Sequence, residues 1–348
     1  MRRTPSRFVP ALAAAGLCLA MVQPAARAAR PSVPEFAKKI GFDASQLAAL
    51  EKGEVVTKVV KTEMVAGNDT AEVAVVGMVK VNATRQAFLD MARDVSSFRN
   101  ESRRKIGLIH DPPQQADFAA VEIPQSDLSD LKSCKPGKCA LKLAGPGLAD
   151  LQQKVDWKSG NAAQQVNTFA GQRLFAAMTA YTQQGTAAFK GMEDKSTTIH
   201  IDEQFKALLG NAAGLIAVYP DLTAYLRDYP NAKLGGGSDV MFWALADFGL
   251  KPTVTMTHIV AYAPQGGEDA VIASKQLYAS HYFNGGLGLT TYAKDPNGAY
   301  VVQVDRVRAD SLGGAFGGVK RSKMGGAMEG AVKKFLEKTK TILSKPKA

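Results

Sequence analysis

Four histidines, His110, His200, His258 and His281, are the side chains of this sequence best suited to moving protons or holding a metal near neutral pH. None belongs to an HExxH motif and no pair has the short spacing of a common zinc site, so no metal centre is expected. His258 lies in Thr253-Val-Thr-Met-Thr-His-Ile-Val-Ala-Tyr262. There the two-residue period of a strand puts Val254, Met256, His258, Val260 and Tyr262 on one face and Thr253, Thr255, Thr257 and Ile259 on the other. If the first face lines a cavity, His258 and Tyr262 offer it hydrogen bonds; otherwise His258 is a core histidine with internal partners. In Gln276-Leu-Tyr-Ala-Ser-His-Tyr-Phe-Asn284 the same period sets Tyr278, Ser280 and Tyr282 against Leu277, Ala279, His281 and Phe283. Tyr278 and His281 are therefore candidates to line a cavity or to pack in a sheet, while Ser280 and His281 point apart and make no serine and base pair.

Asp305, Arg306 and Arg308 close the last valine-rich stretch, with Arg306 and Arg308 on one side. Either arginine could anchor a carboxylate or phosphate head group at a cavity mouth, or join an ordinary ion pair. Trp243, with Phe242, Phe248 and Tyr262, supplies aromatic lining or plain core. The hydroxyls lack a GxSxG elbow, and Leu312-Gly-Gly-Ala-Phe-Gly-Gly318 is not the GxGxxG of a nucleotide site. No catalytic residue is assigned, and no cofactor is expected.

Arg2, Arg3 and Arg7 precede an apolar run over residues 8–22, and Ala25, Ala26, Ala28 and Ala29 follow, which is the order of a secretory signal peptide over residues 1–28. The run is shorter than the roughly 20 residues that span a bilayer. Leu17 is a poor approach to Cys18 for lipidation. Cleavage leaves Cys134 and Cys139, in Cys134-Lys-Pro-Gly-Lys-Cys139, where Pro136 and Gly137 can turn the chain back and let an oxidising compartment close a small disulfide. A periplasmic or secreted location follows. The formal charge of +11 falls to +7 once the four arginines of residues 1–28 are gone, too mild and dispersed for a nucleic-acid partner.

With 348 residues, 46% of them hydrophobic and 22% charged, the chain can bury a sizeable core. Ser45 is placed to cap a short helix that Gly53 ends. Residues 55–64 and 70–81, parted by Gly67-Asn68-Asp69, read as a hairpin, and a helix follows over 85–92. Between about 100 and 235 prolines punctuate short, mostly helical elements, at 126–131, 146–155, 161–192, 201–209 and 220–229. The stripe expected for the longest is Val166, Phe169, Leu174, Phe175 and Met178, and Trp157 is expected to anchor the block. Strands return at 239–248, 253–262, 271–291 and 299–307 as a four-segment antiparallel meander, the third bent at Gly285-Gly286, before a final helix over 323–343.

The order Glu72-Val-Ala-Val-Val-Gly-Met-Val-Lys-Val81, then Asn82-Ala-Thr-Arg-Gln-Ala-Phe-Leu-Asp-Met91, with the terminal meander and helix, resembles the START-like, polyketide-cyclase-like (SRPBCC, helix-grip) superfamily. The resemblance covers roughly 55–99 and 236–343. It implies an α+β fold, with a curved antiparallel sheet closed by a long C-terminal helix over a lipid or small-molecule cavity. Residues 30–348 then form a single START-like domain, interrupted at about 100–235 by a mostly helical insertion. The function expected is extracytoplasmic binding or transfer of a hydrophobic small molecule or lipid. Two alternatives remain open. One is a cyclase-like or hydrolase-like enzyme in which His258 or His281 converges on Asp247 or Asp305; the other is a noncatalytic envelope structural or interaction protein with an apolar patch on residues 161–192. The lysine-rich C-terminal helix offers a surface for peripheral contact with anionic membrane, or simply a solvated face.

Overall fold

The computed structural model describes residues 30–62, 70–94, 103–189, 191–193, 197–248, 251–296, 298–313 and 316–344. The segment read as a signal peptide, with Cys18, the residues 67–69 read as a hairpin turn, and the lysines beyond residue 344 lie outside them. Eight strands form one curved antiparallel sheet: β1 (Val56–Val60), β2 (Ala71–Val81), β3 (Arg103–Ile109), β4 (Gly237–Ala246), β5 (Thr253–Tyr262), β6 (Ala270–Ala279), β7 (Phe283–Asp295) and β8 (Gly298–Ala309). The order across it is β1-β2-β8-β7-β6-β5-β4-β3, so the first long strand pairs with the last and the chain meanders from β4 to β8. The helices are α1 (Val33–Lys39), α2 (Ala44–Glu51), α3 (Arg85–Arg93), α4 (Gln125–Ser133), α5 (Gly145–Lys154), α6 (Ala162–Gln184), α7 (Ile201–Asn211), α8 (Pro220–Asp228) and α9 (Gly317–Leu343). A single turn, Ala213–Ile216, links α7 and α8. The fold is α+β, with a mostly helical insertion, α4 to α8, and a long C-terminal helix against the β1–β2 edge of the sheet.

Local chemistry accounts for most boundaries. Asp43, rather than Ser45, caps α2: its carboxylate accepts the Gln46 N–H at 2.9 Å while the Gln46 side chain accepts the Asp43 N–H. Ser45 lies inside the first turn and donates to that carboxylate. Thr84 caps α3. Gly185, with φ of 64°, ends α6 before the expected limit of 192. The last helix begins at Gly317, so Gly317 and Gly318 belong to it rather than to the connection before it.

Two strands depart from expectation. The segment read as one strand over 271–291 is two, β6 and β7, joined through Ser280, His281 and Tyr282 with no turn glycine; Tyr282 itself takes the left-handed conformation, with φ of 59°. β3 lies at the start of the block read as helical and pairs with β4, so the insertion opens one strand later, after Ile109.

Both faces of the sheet are covered, so β2 and β5 are buried along nearly their whole length. On one face α9 and α3 pack against Val75, Val79, Phe242, Ile259, Ile272 and Val301 through Phe88, Val332, Phe335 and Leu336. α9 comes so close that a Cβ on Gly77 would lie 2.6 Å from Val332 Cγ1 and 2.7 Å from Leu336 Cδ1. On the other face α1, α2, α7 and α8 cover Val76, Met78, Val260, Tyr262, Leu289 and Tyr300, and α6 covers Met241, Trp243, Val254, Met256 and Leu277.

Candidate functional site

The insertion packs around its own small core of Leu131, Leu141, Leu148, Leu151, Val155 and Val166, with Trp157 and the Cys134–Cys139 disulfide against it. Between that core and the sheet lies a cavity of about 350 Å³. Its floor is Val254, Met256 and Tyr278 of β5 and β6; its walls are Leu141 to Ala144, Pro146 and Leu151 of α5, and one side of α6, with Phe189 and Met192 completing it. The α6 residues turned to it are Val166, Phe169, Ala170, Arg173, Leu174, Ala176, Ala177 and Ala180. The alanines leave the room: a helix carrying larger residues there would close the gap. Their spacing along one side of a helix was legible in the sequence, but attention to the large apolar residues of the stripe passed over the small ones.

Of the residues singled out from sequence, Tyr278 lines this cavity, with its hydroxyl donating to the Lys142 carbonyl at 2.9 Å. Trp243 is buried below α6, its Nε1–H donating to the Asp117 carbonyl at 2.7 Å. Tyr262 packs under α8 and donates to Asp221 at 3.3 Å. Arg306 pairs with buried Glu72, which also accepts from Asn211 at 2.5 Å, and Arg308 donates from Nε to Gln204 at 2.7 Å. Both arginines thus fasten α7 to the sheet, and neither is among the residues lining this cavity.

His258 sits at the tightly packed end of the same face, one step along β5 from Met256. Burial pushes its imidazole below the ordinary value, against the raising effect of Asp239. Burial likewise holds the Tyr181 phenol well above its ordinary range, so Tyr181 donates to His258 Nδ1 at 2.7 Å. Nε2–H then donates to Asp239 Oδ1 at 2.6 Å. Tyr225 donates to the other oxygen of Asp239 at 2.8 Å. Next to this chain Lys275 is buried, with Nζ 3.0 Å from the Leu226 carbonyl and 4.1 Å from the centre of the Phe205 ring; desolvation lowers its pKa to about 7.

His281 is held differently. Its Nδ1 faces the Ala140 carbonyl at 2.9 Å and its Nε2 faces Asp127 Oδ2 at 2.9 Å, so both ring nitrogens meet oxygen acceptors. Burial raises the Asp127 carboxyl, but the hydrogen bonds and charges of His281 and Lys251 outweigh it and the net shift is downward. Nearby the Lys142 N–H donates to the Ser280 carbonyl, and Lys142 Nζ pairs with Asp310. This network ties the disulfide loop and α4 to the β6–β7 turn. The acids expected to serve the histidines are engaged elsewhere: Asp247 pairs with Arg104 at 2.5 Å, and Asp305 accepts from Gln303 at 2.6 Å.

Each of the two histidines therefore has both ring nitrogens committed to partners inside the protein, and neither lines the cavity. Among the described residues no three His, Cys, Asp or Glu side chains gather as metal ligands. The exposed large hydrophobics there, Val59, Leu108, Phe248, Phe316 and Val319, all lie off α6. No profile of a known family matches the chain, and no curated protein matches it.

Proposed function

We propose that the protein binds or transfers a hydrophobic small molecule or lipid outside the cytoplasm, as a START-like domain whose helical insertion provides the ligand chamber. The observation that carries this reading is the cavity of about 350 Å³ between α4 to α6 and the sheet, lined mainly by leucine, alanine, valine, methionine and phenylalanine side chains. Its size falls in the range of roughly 300–1,000 Å³ common to small-molecule sites, and its walls suit a hydrocarbon. The superfamily resemblance places the ligand under the C-terminal helix instead. Here α9 rests directly on β2 at Gly77, and the free volume lies across the sheet. The amino-terminal leader pattern and the disulfide favour an oxidising compartment. Exposed Phe316 and Val319, beside Lys320 and Lys323 at the start of α9, are where such a carrier would touch an anionic membrane.

The test is native mass spectrometry of protein gently purified from an oxidising compartment, followed by extraction and identification of bound small molecules. A stoichiometric lipid-like adduct is expected. Protein that is empty, and remains empty after exposure to an envelope lipid extract, would sink the proposal.

A further inference from the structure

The cavity has a charged rim. Arg173 on α6 is a wall residue whose side chain is 52% exposed, so it stands where the chamber meets solvent. Its guanidinium lies across the first turn of α5, where a Cβ on Gly147 would sit 3.3 Å from Nη2. Its acidic neighbour is Asp150, whose Oδ2 is 4.0 Å from Nη1, too far for a hydrogen bond. The same oxygen is 4.0 Å from Lys154 Nζ, and that ammonium lies 5.9 Å from the ring centre of Phe169, another wall residue. Two cations thus share one carboxylate. Lys142, the other cationic wall residue, is committed to Asp310.

Resting on the container reading above, we propose that the ligand is an anionic amphiphile, a long-chain carboxylate whose tail fills the chamber and whose head lies on Arg173. The planar guanidinium presents parallel N–H donors that match the two oxygens of a carboxylate, and here those donors are not taken up by Asp150. The local charge favours a single negative charge over a doubly charged phosphate. Asp150 already offsets one cation, and Glu193, whose carboxylate accepts the Gly145 N–H at 3.1 Å, adds a second acid at the start of α5. A neutral lipid of the same length would fill the walls equally well but leave the arginine to water.

Isothermal titration calorimetry of the full, disulfide-intact, delipidated chain with dodecanoate and with dodecanol, both below micelle formation, separates head from tail. Wild-type protein should bind dodecanoate roughly tenfold more tightly than dodecanol, and added salt should erode that preference. Arg173→Gln should bring the two affinities together by weakening dodecanoate about tenfold more than dodecanol, and Arg173→Lys should restore part of the preference. Equal affinities in the wild type, or a preference that survives Arg173→Gln, would overturn the head-group assignment. Ala177→Phe, with Ala180→Leu as a second variant should the first fold poorly, tests the chamber itself. If both ligands bind equally and these variants block them, the container stands and only the carboxylate is wrong. If neither ligand binds, or binding ignores the filled chamber, both proposals fall.

Discussion

The two faces of this sheet are packed by opposite means. Under α9 the strand gives way to the helix: Gly77 removes a side chain so that Val332 and Leu336 can reach the β2 backbone. Under the insertion the helix gives way to the sheet: Ala170, Ala177 and Ala180 on α6 stop short of Val254 and Met256, and a cavity remains. Small residues occur on both faces, yet in one they allow contact and in the other they prevent it. The difference is where the next large side chain sits. Beside Gly77 the large residues of α9 point straight at the gap; beside the alanines of α6 the large residue Met178 is turned into neighbouring packing, and Leu174 lines the cavity without filling it. The same composition can therefore make a grip or a chamber.

The comparison breaks most sharply at α9. Leu336→Ala removes a fully buried side chain from a close-packed interface and should cost about 2–5 kcal/mol, read as a lower urea midpoint with unchanged slope. Gly77→Ala should cost about 1–3 kcal/mol, although alanine generally suits a strand better than glycine. The added methyl meets Val332, whose β-branched side chain has one favoured rotamer in a helix. A neutral or stabilising Gly77→Ala would mean that α9 rides higher on the sheet than the contact distances say.

The insertion-facing side also has a tight end, and Lys275 tests it. Its folded pKa of about 7 lies below the unfolded value near 10.4, so between these pH values the unfolded chain binds the extra proton and stability rises with pH. From pH 7 to pH 9 the gain should be about 2 kcal/mol in urea unfolding, and Lys275→Met should abolish it. Buried tyrosines do not mask the effect. Tyr225 and Tyr229 have raised pKa values, so their contribution is lost only above the unfolded phenol value near 10. A flat profile in the wild type would mean that water reaches Lys275 and that this end is no tighter than the chamber.

How much of this was written in the sequence differs element by element. β5 runs over the residues its alternation marks, 253 to 262, and its two faces divide as the period says. The β1–β2 hairpin, α3, the disulfide and the long last helix were equally legible, since each rests on local spacing or on a cysteine pair. The β6–β7 turn was not. It lacks glycine and proline, and what holds Tyr282 at positive φ is distant: bonds from Lys142, Val254 and Asp310 to residues 280–282, and the clamp of Asp127 on His281. The partners of the histidines were hidden for the same reason, because Tyr181 and Asp127 arrive from helices 77 and 154 residues away in the chain. A chamber is harder still to read, being a matter of where side chains are absent.

Ala177→Leu is the smallest expected effect and the one that bears most directly on that absence. In delipidated protein the added methylenes enter free volume beside Met256 without displacing a neighbour, and leucine costs a helix almost nothing relative to alanine. Stability should rise by about 0.5–1 kcal/mol, as cavity-filling substitutions commonly do. The sign is opposite to that of Gly77→Ala, although both exchange a small residue for a larger one against the same sheet. The two variants should also part in their response to ligand. A bound amphiphile stabilises wild type and Gly77→Ala alike by mass action, because neither alters the chamber, whereas Ala177→Leu should show little ligand-induced rise in melting temperature. Equal losses of stability in the two variants would mean that α6 sits on the sheet as closely as α9 does, and that the two faces are packed in the same way.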